Sequence, residues 1–251
     1  MIETLLPEEV CASEAFGPDG SAVLHPEEAP LVASATEGRR EEFTTVRACA
    51  RRALAALGLP PTPVLPGKRN VPQWPAGVVG SMTHCAGYRA AVLARDGDLM
   101  AVGIDAEPDL PLPRGVLESI ALPQELAWAR TPVTGAARPC RDRLLFSAKE
   151  AVYKTWYPLV GTELEFEDAA LSFRTDEGLP AGGPQRGTFR ARVLRPGTAP
   201  DGRPVTEFAG RWLADRGLVV TAIALPARRD AEAGGDTAVY GAGGGVGHPG
   251  R

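Results

Sequence analysis

Apolar positions recur along this chain with two periods, and the switch between them marks out the elements. From Thr36 to Leu57, Phe43, Val46, Ala50, Leu54 and Leu57 recur at helical spacing and Gly58 follows as a stop, which predicts an amphipathic helix. Pro60, Pro61 and Pro63 break it, and a loop through Gly67-Lys68-Arg69-Asn70 leads to a short strand at Val78–Gly80. Tyr88–Ala94 and Leu99–Ile104 flank the turn signal Arg95-Asp96-Gly97-Asp98 and read as a hairpin. After the proline-punctuated stretch Pro108–Pro113 come a helix over 116–130 and a second over Asp142–Trp156. In the latter, Leu145, Ala148, Val152 and Trp156 form one stripe, while Lys149, Glu150, Tyr153 and Lys154 form another. Four strands follow, at Ala169–Phe173, Thr188–Leu194, Glu207–Leu213 and Leu218–Leu225. The second alternates cleanly, with Phe189, Ala191 and Val193 on one face and Arg190 and Arg192 on the other. Helices followed by a meander in each half predict an α+β architecture in two similar lobes, 1–108 and 109–226. The remaining 227–251 holds eight glycines and no apolar period, so this tail is expected to be disordered.

Composition narrows the class without naming a function. The 251 residues are 44% hydrophobic and 23% charged, enough to bury a core in one or two domains. No run reaches the roughly 18 apolar residues of a membrane span, and Met1–Glu9 lacks a basic start and an apolar core, so no membrane is expected and the cytoplasm is. Cys11, Cys49, Cys85 and Cys140 are scattered, without the close pairs of a zinc site or a disulfide framework, and are expected as thiols. A net charge of -4 argues against nucleic acid as a partner. The basic residues still cluster, with Arg39, Arg40, Arg47, Arg51 and Arg52 in one segment and Lys68 and Arg69 in a nearby loop.

Two acidic clusters carry the chemistry. Asp105 and Glu107 lie two apart at the end of an extended run, and Pro108 disfavours helix before it, so both carboxylates can project to one side. Their repulsion would be relieved by a hard cation such as Mg2+, which takes one or two carboxylates plus waters and phosphates. A solvated acidic turn remains the plainer alternative, as an ordinary i,i+4 surface pair does for Glu150 and Lys154.

A third stretch decides between these alternatives: Gln73-Trp74-Pro75-Ala76-Gly77-Val78-Val79-Gly80-Ser81-Met82-Thr83-His84-Cys85-Ala86-Gly87-Tyr88. With Gly103-Ile104-Asp105-Ala106-Glu107-Pro108 and Phe146-Ser147-Ala148-Lys149-Glu150-Ala151-Val152-Tyr153-Lys154, it closely resembles the 4'-phosphopantetheinyl transferases of the surfactin-activating superfamily, enterobactin-type subgroup. The resemblance spans roughly residues 30 to 225; one departure is Phe146, where many members carry Trp.

That likeness implies a pseudo-twofold fold, each lobe packing helices on a small antiparallel sheet, with the active site in the cleft between lobes. It implies a monomer of the holo-acyl-carrier-protein synthase type. The reaction is Mg2+-dependent (Mn2+ being possible), moving the phosphopantetheine arm of coenzyme A to a serine of apo acyl or peptidyl carrier proteins and releasing adenosine 3',5'-bisphosphate. Such carriers serve fatty-acid, polyketide and nonribosomal-peptide synthesis. Asp105, Glu107 and Glu150 resemble the metal ligands, and Glu150 is the candidate base, directly or through metal-bound water. Lys149 and Lys154 suit phosphate oxygens, and Lys154 also the leaving group. His84 matches a histidine on the coenzyme's phosphates, and the backbone of Ser81, Met82 and Thr83 matches a segment holding adenine and phosphates.

Arg39 and Arg47 match the 3'-phosphate site, although helical spacing would sooner pair Arg40 with Arg47. Lys68 and Arg69 lie in a loop similarly basic in relatives, and Arg114, Leu117 and Leu122–Arg130 are candidates for a carrier-docking rim. No glycine-rich phosphate loop follows a strand, which removes the usual nucleotide folds. Two other functions share these residues: a hydrolase splitting the coenzyme's pyrophosphate with water, and a non-catalytic carrier- or coenzyme-binding module.

Overall fold

The computed structural model describes residues 1–131, 139–180 and 182–227; most of the glycine-rich tail thus lies outside the described residues. Its first lobe is built on helix α1, Glu37–Ala56. The Thr36 hydroxyl caps it by accepting from the Arg39 N–H at 3.4 Å, and Gly58 ends it at φ +72°, where a side chain would be strained. Its apolar stripe closes over a three-stranded sheet, where Cys49 and Ala50 meet Ala91, and Ala53 and Leu54 meet Leu93.

That sheet has strand β3 (Tyr88–Arg95) at its centre, flanked by β1 (Cys11–Ala15) and β2 (Val78–Cys85). β2 and β3 form a hairpin turning at Ala86-Gly87, with Gly87 at φ +80°. The hairpin expected one step later, between β3 and the next strand, does not form. That strand, β4 (Leu99–Pro108), instead pairs antiparallel with β8 (Leu218–Pro226), placing Ile104 opposite Ala222. β3 already has a neighbour on each side, so the Asp96-Gly97 turn carries the chain from one sheet to the other. The seam therefore falls before β4, ahead of the connector at 108–113.

The second sheet runs β4-β8-β7-β6-β5, with β5 at Ala169–Thr175, β6 at Gln185–Thr198 and β7 at Pro204–Asp215. β6 buries Phe189, Ala191 and Val193 and exposes Arg190 and Arg192, as its alternation predicts. The expected helix over 116–130 is split into α2 (Val116–Ile120) and α3 (Pro123–Arg130). Pro123 explains the break: its ring fits the first turn of a helix but holds Leu122 extended, at ψ 158°.

Helix α4, Arg141–Val160, lies across this sheet and buries Leu145, Ala148, Val152 and Trp156. Each lobe thus sets one 20-residue helix on an antiparallel sheet. α4 approaches β4 so closely that a Cβ on Gly103 would lie 2.2 Å from Thr155 Oγ1 and 2.4 Å from the Ala151 carbonyl oxygen. Only glycine fits there, and the approach brings Glu150 beside Asp105.

The lobes are stitched by side chains. β4 is an edge strand, and its open edge faces β2 rather than solvent. The Ile104 N–H donates to Ser81 Oγ and the Ala106 N–H donates to Thr83 Oγ1, both at 3.1 Å. The two hydroxyls stand where a neighbouring strand's carbonyls would, satisfying buried donors whose loss would cost about 1–3 kcal/mol each.

Candidate active site

A cavity of about 580 Å³ opens at this seam, walled by α1, the turn at 68–70, β2 and α4. A smaller one of about 290 Å³ continues beneath it, and Arg69, Glu150 and Tyr153 line both.

The carboxylates come from two elements. Asp105, on β4, is 4% exposed; its Oδ1 accepts from Lys154 Nζ at 2.7 Å and from Thr83 Oγ1 at 3.3 Å. Its Oδ2 is buried with no hydrogen-bond partner. Glu107 accepts from Arg143 Nη1 at 2.8 Å. Burial pushes the Glu107 carboxyl above its ordinary range and Asp105 adds to this, against Arg143. Glu150 looks in from α4; burial raises its pKa, Lys154 opposes the rise, and Asp105 adds to it.

An orphaned buried carboxylate oxygen among mutually repelling hard donors fits a hard divalent cation. Lys154 and Arg143 hold Asp105 and Glu107 meanwhile, and no three acidic, His or Cys side chains among the described residues close around one centre.

The expected cations divide. Arg39 and Arg47 line the larger cavity, while Arg40, favoured by helical spacing, is exposed and lies off its wall. Arg47 is 7% exposed, stacked 3.1 Å from the Phe43 ring centroid and 3.8 Å from Glu28; its Nε is buried without a hydrogen-bond partner. Burial pulls its pKa down to about 10, against the pull of Glu28. Arg39 Nη1 lies 2.7 Å from His84 Nε2, so Nε2 accepts and the imidazole proton sits on Nδ1, toward Glu42. Burial first, and Arg39 second, hold the His84 pKa below its usual value.

Ser81 and Met82 reach the larger cavity, whereas the Thr83 side chain is turned into the seam. Arg69 lines both cavities and pairs with Glu163; Lys68 is exposed and lines neither.

Lys149 requires a correction. Its amphipathic stripe pointed it at phosphate, but the side chain is only 1% exposed and all three ammonium protons are spent. They go to Glu125 at 2.9 Å and to the carbonyls of Phe166 and Ala169 at 2.6 and 2.9 Å. A lysine so saturated braces α4 against α3 and β5, although it also lines the smaller cavity.

Sequence reasoning missed four residues here: Glu125, Arg143, Glu42 and Phe43. Glu42, three residues after Arg39, and Phe43, four before Arg47, left a signal in spacing on α1.

Two lobes meeting at a cleft lined by Arg39, Arg47, Arg69, His84, Lys154 and Glu150 suit the class of enzymes that handle a polyanionic, phosphate-bearing ligand. Comparison with known proteins identifies the family within that class. Residues 27–94 match the profile of the 4'-phosphopantetheinyl transferase N-terminal domain, and residues 101–193 that of the 4'-phosphopantetheinyl transferase superfamily. The chain is 51% identical over 230 residues to the 4'-phosphopantetheinyl transferase Svp of Streptomyces mobaraensis, covering 90% of each. It is 47% identical over 229 residues to PptT of Mycobacterium tuberculosis, covering 90% of this chain and 98% of that one. Similarity to the Escherichia coli enterobactin synthase component D, 33% over 118 residues, covers 46% of this chain and 54% of that one, so the subgroup likeness is partial. The chain belongs to the 4'-phosphopantetheinyl transferase family, whose members move the phosphopantetheine arm of coenzyme A to carrier proteins.

Proposed function

We propose that this cleft performs the reaction as a Mg2+-dependent enzyme of the holo-acyl-carrier-protein synthase type, acting as a monomer in the cytoplasm. No helix among the described residues is long and apolar enough to cross a membrane. The observation that carries the reading is the meeting of Asp105, Glu150 and Lys154, with one Asp105 oxygen left unpartnered.

Asp105, Glu107 and Glu150 are the residues that would hold the cation, which when bound neutralises pyrophosphate charge. Arg39, whose guanidinium donates to His84 Nε2, receives phosphate oxygens beside that imidazole, and Arg47 takes the 3'-phosphate. Glu150, made more basic by burial, accepts the proton of the carrier's serine. The serine oxygen bonds to the phosphorus bearing the pantetheine arm while the phosphoanhydride bond breaks, and adenosine 3',5'-bisphosphate leaves. Lys154 faces the oxygen on which negative charge develops.

Intact-mass analysis tests this. With coenzyme A, Mg2+ and an apo acyl or peptidyl carrier, one serine should gain one phosphopantetheine group. No gain across several unrelated carriers refutes it. Nucleotide release at full rate without any carrier would make the protein a hydrolase.

A further inference from the structure

The two seam hydroxyls differ in one respect that bears on the cation. Ser81 Oγ accepts from the Ile104 N–H at 3.1 Å, beside an apolar residue. Thr83 Oγ1 accepts from the Ala106 N–H at 3.1 Å and lies 3.3 Å from Asp105 Oδ1. A hydroxyl has a single proton. With the backbone N–H occupying an acceptor position, the Thr83 proton is directed to Asp105. Both side chains are nearly inaccessible, Thr83 at 3% and Asp105 at 4%, so no solvent competes for that proton.

We propose that Thr83 is a positioning residue for the cation: its hydroxyl, locked by the Ala106 N–H, holds Asp105 so that Oδ1 is occupied and Oδ2 is presented as the free oxygen. Lys154 Nζ, at 2.7 Å, takes the same Oδ1. Two donors on one oxygen and none on the other fix the carboxylate's rotation about its last bond. Oδ2 remains buried and unpartnered. Residues that orient a metal ligand in this way commonly change metal affinity by about 10- to 100-fold when removed. The branched side chain contributes as well, because a β-branched residue in a strand has few rotamers and the hydroxyl keeps one direction.

This inference rests on the reading of a divalent cation at Asp105. It is tested with Mn2+ as the probe, titrated into the full chain with coenzyme A present and followed by electron paramagnetic resonance, with no turnover required. Thr83→Val keeps the shape and removes the proton; it should weaken Mn2+ about tenfold or more. Thr83→Ser, which restores the hydroxyl, should stay close to the parent.

Parent-like Mn2+ binding by Thr83→Val overturns the proposal. So does equal weakening in Thr83→Val and Thr83→Ser, which would mark a general loosening of the seam. If Thr83→Val does not fold, Thr83→Ser decides: weakening as large as that of Asp105→Asn would show that packing of the methyl group, not the hydroxyl, controls the site. Failure of the parent chain itself to bind Mn2+ refutes the cation reading instead.

Discussion

Glu125→Gln should be among the most damaging single-atom changes in this protein, although the residue touches no ligand. Glu125 and Lys149 are each 1% exposed and meet at 2.9 Å. Glu125 also accepts from the Leu171 N–H at 2.6 Å through Oε1 and from the Leu122 N–H at 2.8 Å through Oε2. An amide has one acceptor oxygen, so the substitution leaves a buried ammonium without its counter-charge and turns an NH2 group toward a backbone donor. Breaking a buried pair from one side costs about 3–5 kcal/mol. For a chain of this size that is a fall of about 6–20 °C in melting temperature. Lys149→Met should cost less, because Glu125 keeps its two backbone donors.

The deficit should also depend on pH. Burial pushes the Lys149 pKa down, and Glu125 opposes this. Without Glu125 the folded-state pKa falls further below the unfolded value, so the unfolded chain binds more protons and stability rises with pH. The gap from the parent should therefore narrow as pH rises toward the ordinary lysine range. Urea titrations across that range, with circular dichroism as readout, measure both effects. A loss below about 1 kcal/mol, the scale of an exposed pair, refutes the reasoning.

Glu150→Gln should lower turnover about a hundredfold or more while coenzyme A binding by calorimetry changes little; equal losses in both would make Glu150 a structural ligand only. Arg47→Ala should weaken coenzyme A about tenfold or more relative to its 3'-dephospho form, and an unchanged ratio between the two would contradict the 3'-phosphate assignment. In ligand-free protein, His84 should titrate by NMR below the ordinary imidazole midpoint of about 6.5, and Arg39→Ala should raise the midpoint without restoring it, burial being the larger cause. A parent midpoint at or above the ordinary one would show that the imidazole is not desolvated. Gly103→Ala should cost about 1–3 kcal/mol or more in denaturant titration, since the new methyl meets the Ala151 carbonyl, and a neutral effect would mean that α4 does not sit this close to β4.

What the sequence revealed was whatever a single element settles by itself. α1 announced its ends through Thr36 and Gly58, and β6 its faces through Phe189, Ala191 and Val193. Of the motif residues, Lys154 bonds Asp105, and Glu150 feels the charge of both. Relations between distant segments were harder. β1 carries no apolar alternation and is held by its pairing with β3. β3 and β4 resembled a hairpin because their turn chemistry is local, whereas the partners of β4 arrive more than a hundred residues later. Lys149 resembled a phosphate ligand because nothing in its own helix announces Glu125. Arg39 lines the cavity and Arg40 does not, a difference that no helical wheel contains.

The hydroxyl stitching at the seam also bears on whether the halves could exist apart. Without β2, the Ile104 and Ala106 N–H groups would lie along an open edge of a five-stranded sheet, beside an uncovered apolar face. Such an edge recruits strands from other molecules. The second half expressed alone should self-associate into β-rich aggregates, so the first half shields its neighbour from misassembly in addition to furnishing one wall of the cleft.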